Sequence, residues 1–201
     1  MVHSIVPLAV LEAIRNLDTP VEDGLAEFAD ELLSKRLGMS ATIAMQVTEY
    51  EGLVRRDAKV DPTNVEALLR LVGRRPDADL VFADAGRRVA RRAAARTAGA
   101  AKWIARAGPK GLGYVVARRA ARVVLDGDLH REHDLPMARV PSTLAIRATP
   151  DGAACVLYGA AFTELLRLFA NFEGSMVHIS CRGAGGTACV WRAAAPDPRH
   201  H

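Results

Sequence analysis

The sequence predicts an α+β fold, in which a helical N-terminal half is followed by a small antiparallel sheet with a packed helix and a C-terminal hairpin. Three observations support this class. Apolar residues recur at helical spacing through residues 1–126, whereas the pattern alternates after residue 137. Half of the 201 residues are hydrophobic, so the chain can bury a core as a single domain, residues 1–201, and is not disordered.

The helical half contains six predicted helices, which span residues 4–17, 21–37, 41–54, 64–72, 77–98 and 112–125. The segment 41–54 is ambiguous because Ile43, Met45 and Val47 alternate as in a strand, and we favour a helix there. The helix over residues 77–98 has a seam of small side chains beside many arginines. Such a seam permits close packing of another helix or of a partner subunit.

The second half is predicted to follow a polar hinge over residues 126–136. Residues 142–148 alternate apolar and polar side chains, which predicts a half-buried strand, and Pro150-Asp151-Gly152 predicts a turn. The remaining predicted elements are a helix over residues 159–172 and a hairpin with strands over residues 176–181 and 188–192.

All three cysteines lie near the C-terminal end, in the spacing Cys155-x22-His178-x2-Cys181-x7-Cys189. The last two cysteines flank a glycine-rich segment that can turn tightly and bring both sulfurs together. Three thiolates and one imidazole are the donor set of a tetrahedral structural zinc site. The sequence therefore predicts that zinc pins the C-terminal hairpin through these four residues.

Three points weigh against this zinc site. Free cysteines often pack as small hydrophobic residues in a core. In a regular strand His178 and Cys181 point to opposite faces, so both bind one ion only if the chain bends at Cys181. His130 and His133 are competing nitrogen donors, although a histidine pair on a polar linker is more often solvated.

The net charge is +4, and the basic excess is concentrated between Arg87 and Arg122. This asymmetry is compatible with nucleic acid or an acidic surface, but an arginine-rich helix face is more often only solvated. The chain shows no signal peptide and no apolar run of the ~20 residues that span a bilayer. An odd number of cysteines then predicts reduced thiols and a cytoplasmic protein, which favours a metal over a disulfide.

The C-terminal motif resembles the 4-vinyl reductase-type domain. The resemblance covers residues 137–193; the N-terminal half matches only in being helical. It is carried by Cys155, Tyr158-Gly159, Glu164-Leu165-Leu166, the strand from His178 to Cys181, the glycine-rich turn and Cys189-Val190-Trp191. Members of this family include aromatic-sensing input domains of bacterial transcription activators, bacteriochlorophyll-pathway accessory proteins and predicted hydrocarbon-binding proteins. The resemblance implies a fold akin to transport-particle subunits.

In the zinc-bearing members of that family, cysteines and a glutamate hold the metal. The resemblance thus implies Cys155, Cys181 and Cys189 as ligands, with His178 in place of the glutamate. Neutral imidazole is also a good zinc ligand, and this replacement makes the net charge of the site less negative by one.

The sequence does not favour catalysis. A Cys₃His zinc site is coordinatively closed, and the chain shows no Ser/His/Asp set, P-loop or dinucleotide fingerprint. The first functional hypothesis is therefore a module that binds or senses a small apolar, aromatic or tetrapyrrole-like ligand in a pocket between the sheet and the helices. Candidate pocket residues are Trp103, Tyr114, Tyr158 and Phe162, although large aromatic side chains fill the interior of every domain.

The other possible functions rank below this one. The chain can be an interaction scaffold, or a bacteriochlorophyll biosynthesis accessory protein acting as a homodimer, with the alanine- and arginine-rich helix docking the partner. Nucleic-acid binding is not expected, because there is no helix-turn-helix and no aromatic platform. An enzyme acting on tetrapyrrole vinyl groups, as the family's name suggests, comes last because no site for a reductant is visible.

Overall fold

A computed structural model describes residues 1–18, 40–97, 110–141 and 144–194, and confirms the mixed α+β class. The predicted helix over residues 21–37 and the candidate Trp103 lie outside these residues. The described helices are α1 (Ile5–Asp18), α2 (Ala41–Arg55), α3 (Pro62–Val72), α4 (Ala78–Arg96), α5 (Lys110–Leu125), α6 (Leu144–Ala148) and α7 (Cys155–Ala170). The strands are β1 (Val2–His3), β2 (Lys59–Val60), β3 (Asp128–Glu132), β4 (Leu135–Val140), β5 (Ser175–Ser180) and β6 (Cys189–Ala194).

Local sequence signals explain where the N-terminal helices begin. The side chain of Ser40 caps α2 by accepting a hydrogen bond from the amide of Ile43, at 3.3 Å. Asp61 caps α3 in the same way through the amide of Thr63, and Pro62 occupies the first turn, where its missing N–H costs nothing. The helix favoured for residues 41–54 is confirmed.

The small-residue seam of α4 packs against α7 and α1 within the same chain. Gly86 makes the closest approach: a Cβ atom there would stand 2.3 Å from the carbonyl oxygen of Leu157 and 2.9 Å from the Cβ of Ala160. Val81, Phe82, Ala85 and Val89 complete a fully buried face of α4. The seam predicted from the sequence is thus occupied by helices of this chain.

Arginines of α4 make ion pairs inside the molecule. Arg91 donates to Glu164 on α7 at 2.7 Å, and Arg92 pairs with Glu12 on α1. Both carboxylates are buried, so these pairs satisfy charges that would otherwise be costly to place at the helix interfaces. The arginine-rich face therefore serves the packing of α4 onto its neighbours.

The larger sheet is antiparallel, with strand order β3-β4-β6-β5. Strands β5 and β6 form the predicted C-terminal hairpin, and β6 also pairs with β4, in a register that places Val140 opposite Cys189. Helix α7 packs against β5, so the sheet closes over one side of the helical layer. A separate small sheet pairs β1 with β2.

The predicted polar hinge over residues 126–136 is wrong, because these residues form the β3–β4 hairpin. His133 and Asp134 both have positive φ, at 48° and 65°, and join the paired residues Glu132 and Leu135. Two consecutive left-handed residues make a turn whose twist matches that of the flanking strands. The polar composition concealed the hairpin because both of its partly exposed strands carry charged residues.

The strand predicted over residues 142–148 is also wrong. Residues 144–148 form α6, whose buried side chains are Leu144, Ala145 and Ala148. This spacing belongs to a helix, because Ala145, which falls at a polar position of the alternating pattern, is buried. Helix α7 starts four residues before its predicted start, at Cys155, and ends at Ala170.

No helix in the described residues is long and apolar enough to cross a membrane.

Replacement of Gly86 by alanine tests the α4–α7 contact. We expect Gly86→Ala to lower the free energy of unfolding by about 2 kcal/mol, because overpacking against the Leu157 carbonyl exceeds the gain of about 1 kcal/mol in helix propensity. Gly52→Ala in α2 is the matched control, since only the mobile end of Arg55 lies within 4 Å, and it is expected to be neutral or stabilising. Urea denaturation measures both, and a Gly86→Ala protein as stable as the control would contradict the packing.

Candidate metal centre

The four side chains predicted to bind zinc converge in space. One ligand atom from each of Cys155, His178, Cys181 and Cys189 lies within 4.8 Å of the other three. The sulfur atoms of Cys155 and Cys189 are 3.7 Å apart. Two sulfurs bound at about 2.3 Å to a tetrahedral zinc ion are separated by about 3.8 Å. The cluster can therefore hold a metal ion, and its donor set and spacing fit zinc.

Cys155 is positioned by a compact loop that leads into α7. The hydroxyl of Thr149 donates to the carbonyl of Ala145 at 3.0 Å and accepts from the amide of Ala154 at 2.9 Å. The amide of Cys155 in turn donates to the carbonyl of Gly152 at 2.9 Å. These bonds fix the first residue of the helix, so the Cys155 sulfur has a defined place at the end of α7.

Gly152 is required by both its conformation and its neighbours. Its φ is +84°, a region that favours glycine, and a Cβ atom there would lie 3.1 Å from the sulfur of Cys181. The sequence predicted this turn, but not that it forms one wall of the metal centre. Its position three residues before Cys155 was the available signal.

A β-bulge allows His178 and Cys181 to point to the same side, although residues three apart in a regular strand point to opposite faces. His178 pairs with Trp191 and Ser180 pairs with Val190, so Ile179 is an extra residue in β5. An extra residue shifts the alternation by one, which brings two residues at odd spacing to the same face. The zinc prediction required a bend at Cys181. The irregularity is present one to two residues before it.

The segment after Cys181 folds back on itself. A short 3₁₀ helix covers Arg182–Ala184, and Gly185 follows with φ of +87°. The carbonyl oxygen of Cys181 accepts hydrogen bonds from the amides of Ala184, at 3.1 Å, and Gly186, at 3.0 Å. This turn returns the chain to Cys189, the first residue of β6.

Trp191 lies next to the candidate metal ligands, and three other rings surround its indole. Cys189 and Trp191 are two apart on β6 and are both buried, so they share one face of the sheet. The rings of His178 and Trp191 stack with centroids 4.7 Å apart, and the ring centroids of Tyr158 and Phe162 lie 6.0 and 5.5 Å from that of Trp191. Trp191 was not predicted to pack beside the ligands, although its spacing of two residues from Cys189 places it on the same face of β6.

Burial is the main cause of the pKa shifts of Cys155 and His178. Burial raises the pKa of the Cys155 thiol, and the adjacent Cys189 raises it further because two thiolates would repel each other. Burial lowers the pKa of His178, against an opposing hydrogen bond with the backbone of Ser180, so its imidazole favours the neutral form that binds metals. A bound divalent cation would lower the pKa of these thiols, because a thiol that coordinates a metal loses its proton.

The candidate pocket residues do not line one common pocket. Tyr114 lines a cavity of about 410 Å³ between the sheet and helices α5 and α7, and Tyr158 lines another of about 310 Å³ near α5 and α6. Phe162 is fully buried against Trp191. The fourth candidate, Trp103, lies outside the described residues.

Comparison of the chain with protein-family models, with curated proteins and with solved structures finds no match.

Metal analysis with paired histidine variants tests the centre. We expect the purified protein to contain one metal ion per chain, and His178→Ala to lose it or to bind it much more weakly, because only three donors remain. His130→Ala is the matched control and should retain the metal, since His130 lies on β3 outside the cluster. Elemental analysis after dialysis gives the stoichiometry. Equal metal content in the two variants would exclude His178 as a ligand.

Proposed function

We propose that this protein is a zinc-containing module that binds a small apolar or aromatic ligand, and that the zinc has a structural role. One observation carries the proposal: three thiols and an imidazole meet within 4.8 Å in a donor set that leaves no position free on a tetrahedral ion. Such closed sites hold a fold together and do not activate water. Because zinc needs thiolates, the proposal includes a reducing, cytoplasmic environment.

The proposed zinc ion braces three elements at once. Its ligands come from the start of α7, the end of β5, the turn that follows β5, and the start of β6. Strand β5 is an edge of the sheet, so its end has a paired strand on one side only. A bond from His178 and Cys181 to the ion would hold that edge against α7.

The ligand is proposed to occupy the Tyr114 cavity, which lies between the sheet and the helices. The residues that line it include Tyr114, Arg131, Leu135, Pro136, Leu166 and Phe172. A volume of about 410 Å³ falls in the range of small-molecule sites, roughly 300–1,000 Å³. Leu166 belongs to α7 and Ala193 to β6, so the cavity and the metal centre share these two elements.

The resemblance to the 4-vinyl reductase-type domain supports the same function. That family includes aromatic-sensing input domains of bacterial transcription activators, and it has zinc-bearing members. The resemblance extends to Cys155, Cys181 and Cys189 and departs from the family at His178.

Ligand screening with and without metal tests the proposed function. In a thermal-shift screen of small apolar and aromatic compounds, at least one should stabilise the metal-loaded protein, by about 2.7 kcal/mol at 100 times its Kd. Cys189→Ser should lower the free energy of unfolding by on the order of 4 kcal/mol and reduce this ligand effect, because it removes a metal ligand. A metal-loaded protein that no compound stabilises would contradict the proposal.

A homodimer is the second candidate, favoured by the exposed edge of β5. Val177 is 48% exposed and lies before the bulge at Ile179, and β5 carries no lysine, proline or acidic residue of the kind that prevents edge pairing. If copies pair through this edge, sedimentation velocity should show a dimer that Val177→Lys converts to a monomer. Val123→Lys on the exposed face of α5 removes a similar apolar side chain elsewhere and should leave the dimer intact. A monomeric wild-type protein would refute the pairing.

A further inference from the structure

A second cavity, between α7 and β5, reaches the candidate metal centre. We call it the α7–β5 cavity; the residues that line it include Cys155, Val156, Gly159, Met176, His178 and Trp191. Its volume of about 320 Å³ lies within the range of small-molecule sites, roughly 300–1,000 Å³. Among the described residues it shares no lining residue with the Tyr114 cavity. It is therefore a separate candidate site.

The indole N–H of Trp191 is a hydrogen-bond donor that the fold leaves unused. The residue is 1% exposed and lines the α7–β5 cavity. Within the described residues its Nε1 atom donates no hydrogen bond, and it is not among the unpaired atoms that are sealed from solvent. A buried indole N–H normally has a partner, and an indole nitrogen can only donate. The cavity thus presents one donor to whatever enters it.

Gly159 leaves this N–H uncovered. A Cβ atom at Gly159 would lie 3.0 Å from Nε1 of Trp191 and 3.2 Å from its Cδ1. Gly159 lies within α7, where glycine costs about 1 kcal/mol relative to alanine in helix propensity. Any other residue at this position would place a carbon atom over the edge of the indole that carries the donor.

The remaining lining groups favour an uncharged molecule. No aspartate, glutamate, lysine or arginine is among the described residues that line the cavity. The hydroxyl of Thr163 is already used, because it donates to the carbonyl of Gly159 at 2.9 Å and accepts from the amide of Met176 at 3.0 Å. Three thiolates and one divalent ion at the metal centre would leave one negative charge, which disfavours an anion nearby.

We propose that the α7–β5 cavity binds a small uncharged molecule that has an apolar body and one hydrogen-bond acceptor, of the chemical class of aromatic ketones. The acceptor takes the N–H of Trp191, and the apolar body packs against Val156, Ala160 and Met176. Burial of the donor favours a molecule that supplies the missing partner. This site adds to the proposed function, because it lies beside the metal ligands and outside the Tyr114 cavity.

Three probes of nearly the same shape test the ligand class: acetophenone, ethylbenzene and benzoate. In titrations of the full, metal-loaded chain, acetophenone should bind at least about fivefold more tightly than ethylbenzene, which leaves the indole N–H without a partner. It should also bind at least about tenfold more tightly than benzoate, whose charge is costly to place among apolar walls. Equal or tighter binding of either other probe would overturn the proposal, as would no binding of acetophenone.

The indole N–H resonance reports the contact itself. The chain has two tryptophans, so Trp103→Phe leaves Trp191 as the source of the one indole signal in a proton–nitrogen NMR spectrum. Acetophenone should shift this signal more than ethylbenzene does, because only the ketone accepts the hydrogen bond. An indole signal that does not move when acetophenone is saturating would overturn the proposal.

A glycine variant locates the site. Gly159→Ala covers the N–H and should weaken acetophenone binding by at least about tenfold, whereas Gly111→Ala on α5, where a Cβ would meet nothing within 4 Å, should change it less than twofold. Undiminished affinity in a folded Gly159→Ala protein would overturn the proposal. If this variant does not fold, the order of the probes and the indole shift decide the question.

Tyr114→Phe separates this inference from the proposed function. It changes the lining of the Tyr114 cavity alone and should leave acetophenone binding unaltered. If acetophenone affinity falls in Tyr114→Phe and not in Gly159→Ala, the ketone occupies the Tyr114 cavity; the second site is then wrong and the small-molecule function stands.

Discussion

The close contact between α4 and α7 determines where the metal ligands can meet. Gly86 has no side chain, so the backbone of α7 at Leu157 comes directly against α4. Cys155 lies two residues before Leu157, in the first turn of the same helix, and so its sulfur is held by the helix packing and not by the sheet. Strands β5 and β6 bring the other donors to this fixed point. A shift of α7 would therefore move one ligand away from the other three.

The hairpin reaches that point through three departures from regular structure. The bulge at Ile179 turns His178 and Cys181 to one face, Gly185 reverses the chain, and Gly152 leaves room for the sulfur of Cys181. Two of these departures lie in or beside the C-terminal hairpin, and Gly152 lies in the loop before α7. A bound cation would add metal–ligand bonds between this irregular hairpin and α7.

The arginines divide into two groups with different surroundings. On α4, Arg91 and Arg92 pair with buried carboxylates of neighbouring helices, so side chains of the same chain neutralise these two guanidinium groups. Around α5 and β3, Arg118 and Arg122 share the carboxylate of Asp128, and within the described residues the Tyr114 hydroxyl has no hydrogen-bond partner. The overall net charge of +4 does not distinguish these groups.

Sequence alone determined the α+β class, most helix positions and the four converging donors, because helical periodicity, cap residues and cysteine spacing are local properties. It failed at the β3–β4 hairpin, where a turn built on His133 and Asp134 lacks glycine, and at α6, where five residues are too few to separate the two periodicities. Only the tertiary structure decided that His178 and Cys181 share a face, that Trp191 stacks behind them, and that Tyr114, Tyr158 and Phe162 lie in different surroundings. The physical reason is that strand register, bulges and helix contacts arise between segments distant in the chain, where no local pattern records them.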